Sequence, residues 1–294
     1  MLRSRVYRGL LSGLSRLPLG IQHRLGAALG VLFWVLPNRQ RCATLINVDL
    51  CFCDKPTRWR RNIARQSLKE TGKALIETGA IWTWPQSKLC QLVVAERQRD
   101  IFQGALDRKA GVIIASPHIG AWELIGVYLG AHYPMLNLYR PPRCAAMEPI
   151  VLKARQRFGS GLAPINASGI RTTMKALKSG AIVGMLPDQE PDRDSGVFAP
   201  FYGTPACTMT LLGKLARKSG APIVFCTMKR LRNGYELHYV QPDAEIYSED
   251  PGLSAAASNR SIEQCIAIAP EQYLWSYRRF RLIETCGTRC YSKR

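Results

Sequence analysis

A histidine and a glutamate five positions apart are the residues of this sequence best suited to acid–base chemistry. In the stretch IIASPHIGAWELIG, His118 directly follows Ser116-Pro117, and Glu123 comes five positions later. A hydroxyl group is a poor nucleophile until a base removes its proton, and histidine suits this role near neutral pH. A carboxylate on the other ring nitrogen would fix the tautomer and stabilise the imidazolium, as in serine-enzyme triads. The pair therefore predicts base-assisted attack by a hydroxyl group.

The spacing of His118 and Glu123 decides whether they can meet. On a continuous helix, which turns by about 100° per residue, they would lie roughly 140° apart. Pro117 favours a break, because it biases Ser116 toward an extended conformation. We therefore expect His118 in a strand-to-helix turn and Glu123 in the first helical turn, with the two side chains in contact. The alternative is a solvent-facing histidine near an ordinary glutamate at a helix start.

An aspartate follows another predicted strand, in AIVGMLPDQEPDRDSGVFAPFYGTPACT. Asp188 comes directly after Pro187, where the strand should end. If this strand is parallel to the one before His118, the two residues lie level, because active sites collect at the carboxyl ends of strands in open α/β sheets. Asp188 is then a further hydrogen-bond partner of the imidazole or positions the acceptor; a loop-capping aspartate is the alternative. The aromatic stretch GVFAPFYG suits either an acyl groove or simple packing.

Three arginines are candidates for binding substrate. Arg140 stands in the segment YRPP (139–142), and Arg155 and Arg157 follow in RQRFG. The planar guanidinium binds phosphate and carboxylate groups bidentately. In so basic a chain, surface charge is the alternative for each of them.

Motifs of several other enzyme classes are missing from the sequence. It contains no GxSxG elbow, no Walker loop, no GxGxxG fingerprint and no HExxH zinc motif. No cysteine stands in a recognisable nucleophile setting either. The chemistry that remains is attack by a substrate hydroxyl on an activated acyl group, without a covalent enzyme intermediate.

Strands alternate with helices from about residue 111 onward. This pattern predicts an α/β fold with a mixed, mostly parallel central sheet flanked by helices. Compact apolar runs predict strands over 111–116, 135–140, 181–186, 221–228 and 235–240, the last at an edge of the sheet. Helical periodicity predicts helices over 39–80, 121–132, 147–159, 169–180, 208–220, 258–270 and 270–280.

The start of the chain differs from the rest in charge and pattern. No Asp or Glu occurs before Asp49, and the apolar stretch 25–37 is shorter than the roughly 20 residues that a spanning helix needs. We expect a membrane-associated amphipathic or anchor segment over 1–40 and a catalytic domain over 41–294. One apolar helical stripe is formed by Leu10, Leu14, Leu17, Ile21, Leu25, Ala28 and Leu32.

The excess of basic residues indicates an anionic partner. Lys and Arg number 41 against 21 Asp and Glu, which gives a net charge of +20 and a pI near 9.9. Such a balance favours nucleic acid, acidic phospholipid or an acidic carrier protein, and the acid-free start beside apolar sequence favours a membrane surface. The ten cysteines form no CxxC pair or zinc quartet. We therefore expect free thiols in the reducing cytoplasm and no bound metal.

His-x4-Glu after an apolar strand resembles the signature of the lipid A biosynthesis acyltransferases, late acyltransferases of lauroyl and myristoyl type. The resemblance extends along nearly the whole chain. The segment INVDLCFCDKP (46–56) is similar to that family's Asn-Leu-x-Leu-Cys-Phe-Pro segment, with Cys53 in place of the usual proline. Further similar blocks lie at 138–142, 155–159, 186–208 and 270–280.

The resemblance implies a glycerolipid acyltransferase-like fold at the cytoplasmic face of the bacterial inner membrane. The enzyme would need no cofactor and would use acyl-acyl carrier protein as co-substrate. It would esterify the 3-hydroxyl of a hydroxyacyl chain on a lipid A precursor, forming an acyloxyacyl group. Its partners would be the carrier protein, the lipid A precursor and anionic membrane lipids, with no nucleic acid. The family's residues fall on His118, Glu123 and Asp188, with its arginine on Arg155 or Arg157.

Two other functions stay open at this point. One is an acyltransferase of the same fold that acts on another lipid acceptor, such as a glycolipid, lysophospholipid or lipoamino acid. The other is a non-catalytic basic protein that binds anionic membranes or nucleic acid. The polar strand ends and the lack of a recognisable nucleic-acid module make the second the less favoured.

Overall fold

The fold is built on a seven-stranded mixed sheet. A computed structural model of the chain describes residues 9, 11–141, 148–285 and 288–291. The strands are β1 (Val93–Arg97), β2 (Val112–Ala115), β3 (Met135–Tyr139), β4 (Gly161–Pro164), β5 (Ile182–Met185), β6 (Gly196–Phe201), β7 (Thr204–Met209), β8 (Ile223–Leu231), β9 (Gly234–Val240), β10 (Glu284–Thr285) and β11 (Thr288–Arg289). The main sheet has the order β1-β9-β8-β2-β5-β3-β4, in which only β8 and β9 pair antiparallel. β6 with β7 and β10 with β11 form separate antiparallel hairpins.

Helices cover both faces of this sheet and precede it in the chain. They are α1 (Leu19–Val35), α2 (Arg39–Cys51), α3 (Thr57–Thr83), α4 (Gln86–Gln91), α5 (Arg99–Leu106), α6 (Trp122–Gly130), α7 (Glu148–Gln156), α8 (Ala167–Lys178), α9 (Leu211–Ser219) and α10 (Pro251–Ile268). The predicted α/β class with a mostly parallel sheet between helices is confirmed.

The central strand β2 shows why apolar runs without alternation become buried parallel strands. Its four residues, VIIA, are all buried, and successive side chains point to opposite faces of the sheet. Ile113 and Ala115 join a core cluster with residues of α9 and α10, whereas Val112 and Ile114 join another with residues of α5 and α6. The sheet therefore separates two apolar layers, and both layers hold β2 in place.

Several details differ from the sequence-based expectations. β9 is not an edge strand, because β1 pairs with its outer side. β1 and β4 were not predicted from the sequence. Both are short and only partly buried, and neither contains a continuous apolar run. GVFAPFYG is mostly strand β6 of a hairpin. The predicted helix over 270–280 is wrong beyond one turn of 3₁₀ helix at Pro270–Gln272, since the backbone there bonds to the loop after β2.

Helix α1 packs against α3 at backbone contact distance. A Cβ on Gly26 would lie 2.4 Å from Cα of Lys73, and one on Gly30 would lie 2.3 Å from Cα of Lys69. From the other side, a Cβ on Gly72 would lie 2.0 Å from the carbonyl oxygen of Gly26. Small residues permit this approach, as they do where helices pack in membranes. The N-terminal helix is thus joined to the rest of the chain by close packing.

The outward face of α1 is apolar apart from Arg24, whereas its inward face is polar or small. The buried residues of the helix are Gln22, His23, Gly26 and Gly30. The predicted stripe faces outward at Ile21, Leu25, Ala28 and Leu32, while its Leu10 lies outside the described residues. Among the helices described, none alone is long and apolar enough to cross a membrane; α1 and α2 together reach that length and composition, with an 81° bend between them.

A buried ionic network links α1 and α3 to strands β8 and β9. Glu77 of α3 accepts hydrogen bonds from Arg230, from Tyr235 at 2.9 Å and from Nε2 of His23 at 2.8 Å. Arg230 also donates to Glu70 at 2.7 Å. Burial raises the pKa of Glu77, but the charge and hydrogen bonds of Arg230 and His23 outweigh burial and lower it to about 2. Glu77 is therefore ionised in the folded protein.

We predict opposite effects for two glycine substitutions within α1. Gly26→Ala should cost about 1–3 kcal/mol of unfolding free energy, because the added methyl forces two backbones apart. Gly20→Ala is the matched control, because a Cβ there has no neighbour within 4 Å. It should stabilise the helix by about 0.5–1 kcal/mol. Urea denaturation followed by circular dichroism measures both, and equal stability of the variants would contradict the close packing.

We also predict that acid weakens the fold through Glu77. Because its folded pKa lies below its ordinary value of 4.5, its contribution is complete above about pH 5 and is lost as the pH falls toward 2. The difference between the ordinary pKa of 4.5 and the folded pKa of about 2 corresponds to about 3 kcal/mol of unfolding free energy. Unfolding free energies at pH 7, 5, 4 and 3 should fall less steeply for Glu77→Gln than for the wild type. Glu249→Gln, at an exposed position, should keep the wild-type slope.

Candidate active site

The parallel pairing of β2 with β5 brings His118 and Asp188 together. Ala115 and Met185 are partners at the ends of these strands, and the next residue, Ser116, donates its N–H to the Met185 carbonyl at 3.0 Å. Nδ1 of His118 lies 2.7 Å from Oδ1 of Asp188. The backbone N–H of His118 donates to Oδ2 of the same carboxylate at 2.9 Å. Both carboxylate oxygens thus hold one residue in place.

The loop after β2 is fixed by backbone contacts on its other side. The carbonyl of His118 accepts from the Leu274 N–H at 2.9 Å, and Gly120 N–H donates to the Gln272 carbonyl at 3.1 Å. Gly120 has a φ of +58°, and a Cβ on it would lie 1.9 Å from the Met228 carbonyl oxygen. Only glycine fits this turn. The segment that was expected to be helical therefore positions the histidine.

The carboxylate of Asp188 determines the protonation pattern of the imidazole. Burial raises its pKa, but the charge of His118 and the hydrogen bonds from its ring and backbone outweigh burial and hold the pKa below the ordinary range. An ionised carboxylate only accepts, so Nδ1 of His118 carries the hydrogen. Nε2 is then the basic nitrogen. It lies 3.2 Å from the side-chain amide of Gln189, which occupies the position that a substrate hydroxyl needs.

The sequence predicts contact between Glu123 and the imidazole of His118, but the structure does not show it. Glu123 pairs with Arg155 instead. It lies in the first turn of α6, where its carboxylate accepts from Nε of Arg155 at 3.0 Å, from Nη2 of Arg155 and from Nε1 of Trp82 at 3.3 Å. Burial raises its pKa, but Arg155, Trp82 and the more distant charge of His118 together lower it. The break before α6 does place the two residues in loop and helix, but the carboxylate faces α7.

Two cavities meet beside these side chains. The larger, of about 560 Å³, is lined by His118, Gln189 and Arg155. The smaller, of about 80 Å³, extends between α6 and strands β2, β3 and β5 and is mostly apolar. They share Arg155 and the apolar residues Leu138, Met185 and Leu186. A substrate with a polar group and an apolar chain can therefore lie across both.

The other candidate arginines lie at different distances from this site. Arg140 lines the larger cavity at its exposed mouth and approaches Asp192 at 3.4 Å. Arg157 lines neither cavity, since its guanidinium lies over the ring of Phe158 at 4.1 Å. Of the two arginines in RQRFG, the structure thus places Arg155 at the site.

Sequence reasoning missed Gln189, Trp82 and Trp122. Gln189 directly follows Asp188 and could have been noticed as a polar residue at the same strand end. Trp122 packs against the ring of His118, with centroids 5.3 Å apart, and Trp82 comes from the distant helix α3. No local pattern marks either tryptophan as part of the site, because their proximity arises from helix packing. Over the described residues, no group of three or more His, Cys, Asp or Glu could hold a metal ion.

This arrangement suits removal of a proton from a substrate hydroxyl. The imidazole has one nitrogen hydrogen-bonded to a buried carboxylate and the other directed at a cavity, as general base catalysis requires. A cationic Arg155 lies at the junction of the polar and apolar cavities, where it can stabilise negative charge on a reacting oxygen. The geometry therefore supports transfer of an apolar acyl group to an alcohol.

Comparison with known proteins gives the same family for a sequence model and for individual relatives. The family model for bacterial lipid A biosynthesis acyltransferases matches residues 4–282. The chain is 32% identical over 269 residues to a lipid A biosynthesis palmitoleoyltransferase of Escherichia coli, covering 90% of this chain and 87% of that protein. It is 30% identical over 281 residues to a lauroyltransferase of lipid A biosynthesis from the same organism, covering 93% and 89%. A myristoyltransferase of that pathway is 22% identical over 268 residues, covering 90% and 82%.

The match extends over nearly the whole chain and includes the strand ends that carry His118 and Asp188. The chain therefore belongs to the bacterial lipid A biosynthesis acyltransferase family.

Proposed function

We propose that this protein transfers a fatty acyl chain from acyl-acyl carrier protein to a hydroxyl of a lipid A precursor, forming an acyloxyacyl group. One observation carries the proposal: Nδ1 of His118 is bound by Asp188, while the other side of the imidazole lines the larger cavity. That cavity joins an apolar slot at Arg155. A hydroxyl and an acyl thioester can therefore meet within reach of one base.

The reaction needs no group besides the two substrates and the residues of the site. The hydroxyl of the acceptor displaces the Gln189 amide from Nε2 of His118 and gives up its proton there. Its oxygen bonds to the thioester carbonyl carbon, and the C–S bond then breaks. The thiolate of the carrier leaves and takes the proton back from the imidazolium, which restores the base. Asp188 stabilises the imidazolium while it exists.

Arg155 is the group suited to the thioester carbonyl oxygen, which becomes negative during attack. Its Nε and Nη2 are held by Glu123, whereas Nη1 makes no hydrogen bond within the part of the chain described. A preorganised cation of this kind lowers the barrier because it need not reorient as charge develops. Glu123 is then a positioning residue, which acts through Arg155.

The smaller cavity, of about 80 Å³, suits the first methylene groups of the acyl chain because of its apolar lining. Ile114, Ile125, Val127 and Met135 make it mostly apolar, and it opens beside Arg155. Burial of each methylene group there contributes about 0.8 kcal/mol to binding. Arg140, which lies at the mouth of the larger cavity beside Asp192, is a candidate contact for phosphate groups of the acceptor.

The proposed place of action is the cytoplasmic face of the bacterial inner membrane. The outward face of α1 presents Ile21, Leu25, Leu32 and Val35, which are 42–64% exposed. Burying such a row in lipid is favourable, and the net charge of +20 attracts the protein to anionic lipid. The acceptor is itself a lipid, and α3, on which α1 packs, also reaches the active site through Trp82.

We predict that purified enzyme forms acyloxyacyl product with acyl-acyl carrier protein and a lipid A precursor, measured by mass spectrometry. His118→Ala should lower the transfer rate by about 10³-fold or more while vesicle binding stays at the wild-type level. The same assay with acyl-coenzyme A, and with lysophospholipid or glycolipid acceptors, tests the donor and acceptor. Faster transfer to one of those acceptors would overturn the lipid A assignment, and wild-type turnover by the His118 variant would remove the base.

We also predict that the two carboxylates act on different partners. Glu123→Gln and Arg155→Gln should each lower kcat/KM by about 10²-fold, and the double variant should lose little more, because both changes remove one interaction. Glu123→Gln combined with Asp188→Asn should instead multiply the two losses. The reverse pattern, with coupling between Glu123 and Asp188, would show that both carboxylates act on the imidazole.

A further inference from the structure

A second basic cavity lies where α1, α2 and α3 meet, apart from the site at His118. It has a volume of about 300 Å³ and shares no lining residue with the larger cavity at the active site. We call it the N-terminal pocket. Its lining residues are Trp34, Arg41, Leu45, Asp49, Thr57, Arg60 and Arg61.

Two guanidinium nitrogens in the N-terminal pocket are buried without a partner. Nε of Arg41 and Nε of Arg60 make no hydrogen bond among the residues described, although neither atom is exposed to solvent. A buried donor of this kind is normally satisfied by protein or by a bound group. These two donors are closed to solvent in this structure, so the capacity of the pocket to bind an anion rests on the charge of its arginines.

The charge of the N-terminal pocket is positive. Arg60 donates to Thr57 at 3.2 Å and pairs with Asp49 at 3.1 Å, so one of the three arginines is neutralised. Arg41 and Arg61 form no ion pair within residues 11–141 and 148–285. The guanidinium of Arg41 is 5.5 Å from the Trp34 ring centroid, an arrangement that holds its plane in place. Planar, fixed guanidinium groups favour phosphate oxygens.

The position of the N-terminal pocket relates it to lipid. Trp34 belongs to the last turn of α1, whose neighbouring residues Leu32, Val35 and Leu36 are 50–64% exposed. An amphipathic helix in the interface keeps its apolar face among acyl chains and its polar groups at the headgroups. A lipid whose chains lay along this end of α1 would have its phosphate near Arg41, because the Arg41 guanidinium lies 5.5 Å from the Trp34 ring centroid.

We propose that the N-terminal pocket binds the phosphate group of an anionic membrane phospholipid and so orients α1 in the bilayer. The proposal rests on the membrane attachment proposed above. Arg41 and Arg61, which form no ion pair among the described residues, supply the positive charge that attracts the phosphate. This pocket gives the attachment a specific headgroup contact in addition to the diffuse attraction of a basic surface.

Flotation of the full chain with lipid vesicles tests the proposal. The vesicles contain either phosphatidylcholine alone or phosphatidylcholine with phosphatidylglycerol. The test variant is Arg41→Gln/Arg61→Gln. The matched control is Arg24→Gln/Arg58→Gln, which removes one exposed arginine from α1 and one from α3, both outside the pocket. Thermal unfolding of each variant verifies that the fold is intact.

We expect the Arg41/Arg61 variant to bind phosphatidylglycerol vesicles about tenfold more weakly than the wild type, and the control about twofold. In 0.5 M NaCl the control should equal the wild type, since screening removes diffuse attraction, whereas the pocket variant should stay weaker. Equal losses in both double variants would overturn the pocket. Tight binding of inorganic phosphate alone, measured by calorimetry, would overturn the lipid as its source. Absence of wild-type binding to any vesicle would instead overturn the membrane attachment itself.

Discussion

The parallel pairing of β2 with β5 is the constraint on which the site depends. Each strand is a short apolar run buried on both faces, so its register is set by the core on either side of the sheet. Because both strands end at the same edge, the polar residues that follow them, His118 and Asp188, lie within hydrogen-bond distance. A shift of one residue in this register would separate them. The placement of these two side chains is thus a consequence of how the core packs.

Two buried carboxylates near the site have separate structural roles. Asp188 holds the imidazole through its ring and backbone nitrogens, whereas Glu123 holds Arg155. Each is ionised despite burial because it is paired with a charge or with several donors. This division keeps the imidazole and the guanidinium apart, because each is bound by its own carboxylate.

The N-terminal helix has the polarity expected of a helix between protein and lipid. Its small and polar side packs on α3, with glycines in backbone contact and His23 bonded to Glu77, while its apolar side is exposed. A polar network buried in this way needs all of its partners, which come from α1, α3, β8 and β9. The proposed membrane segment and the sheet are therefore one packed structure.

The amino-acid sequence by itself determined the alternation of strands and helices, the turn at Pro117 and the choice of His118, because these depend on local patterns of apolar, small and polar residues. It also carried the family resemblance, in ordered blocks along the chain. Only the tertiary structure decided that Asp188 contacts the imidazole, that Glu123 contacts Arg155, and that 270–280 supports the loop at His118. The physical reason is that each of these contacts joins residues that are distant in the sequence, by 32 positions for Glu123 and Arg155 and by 70 for His118 and Asp188. Which of two nearby carboxylates reaches a ring nitrogen depends on strand register and helix packing, and no local spacing records either.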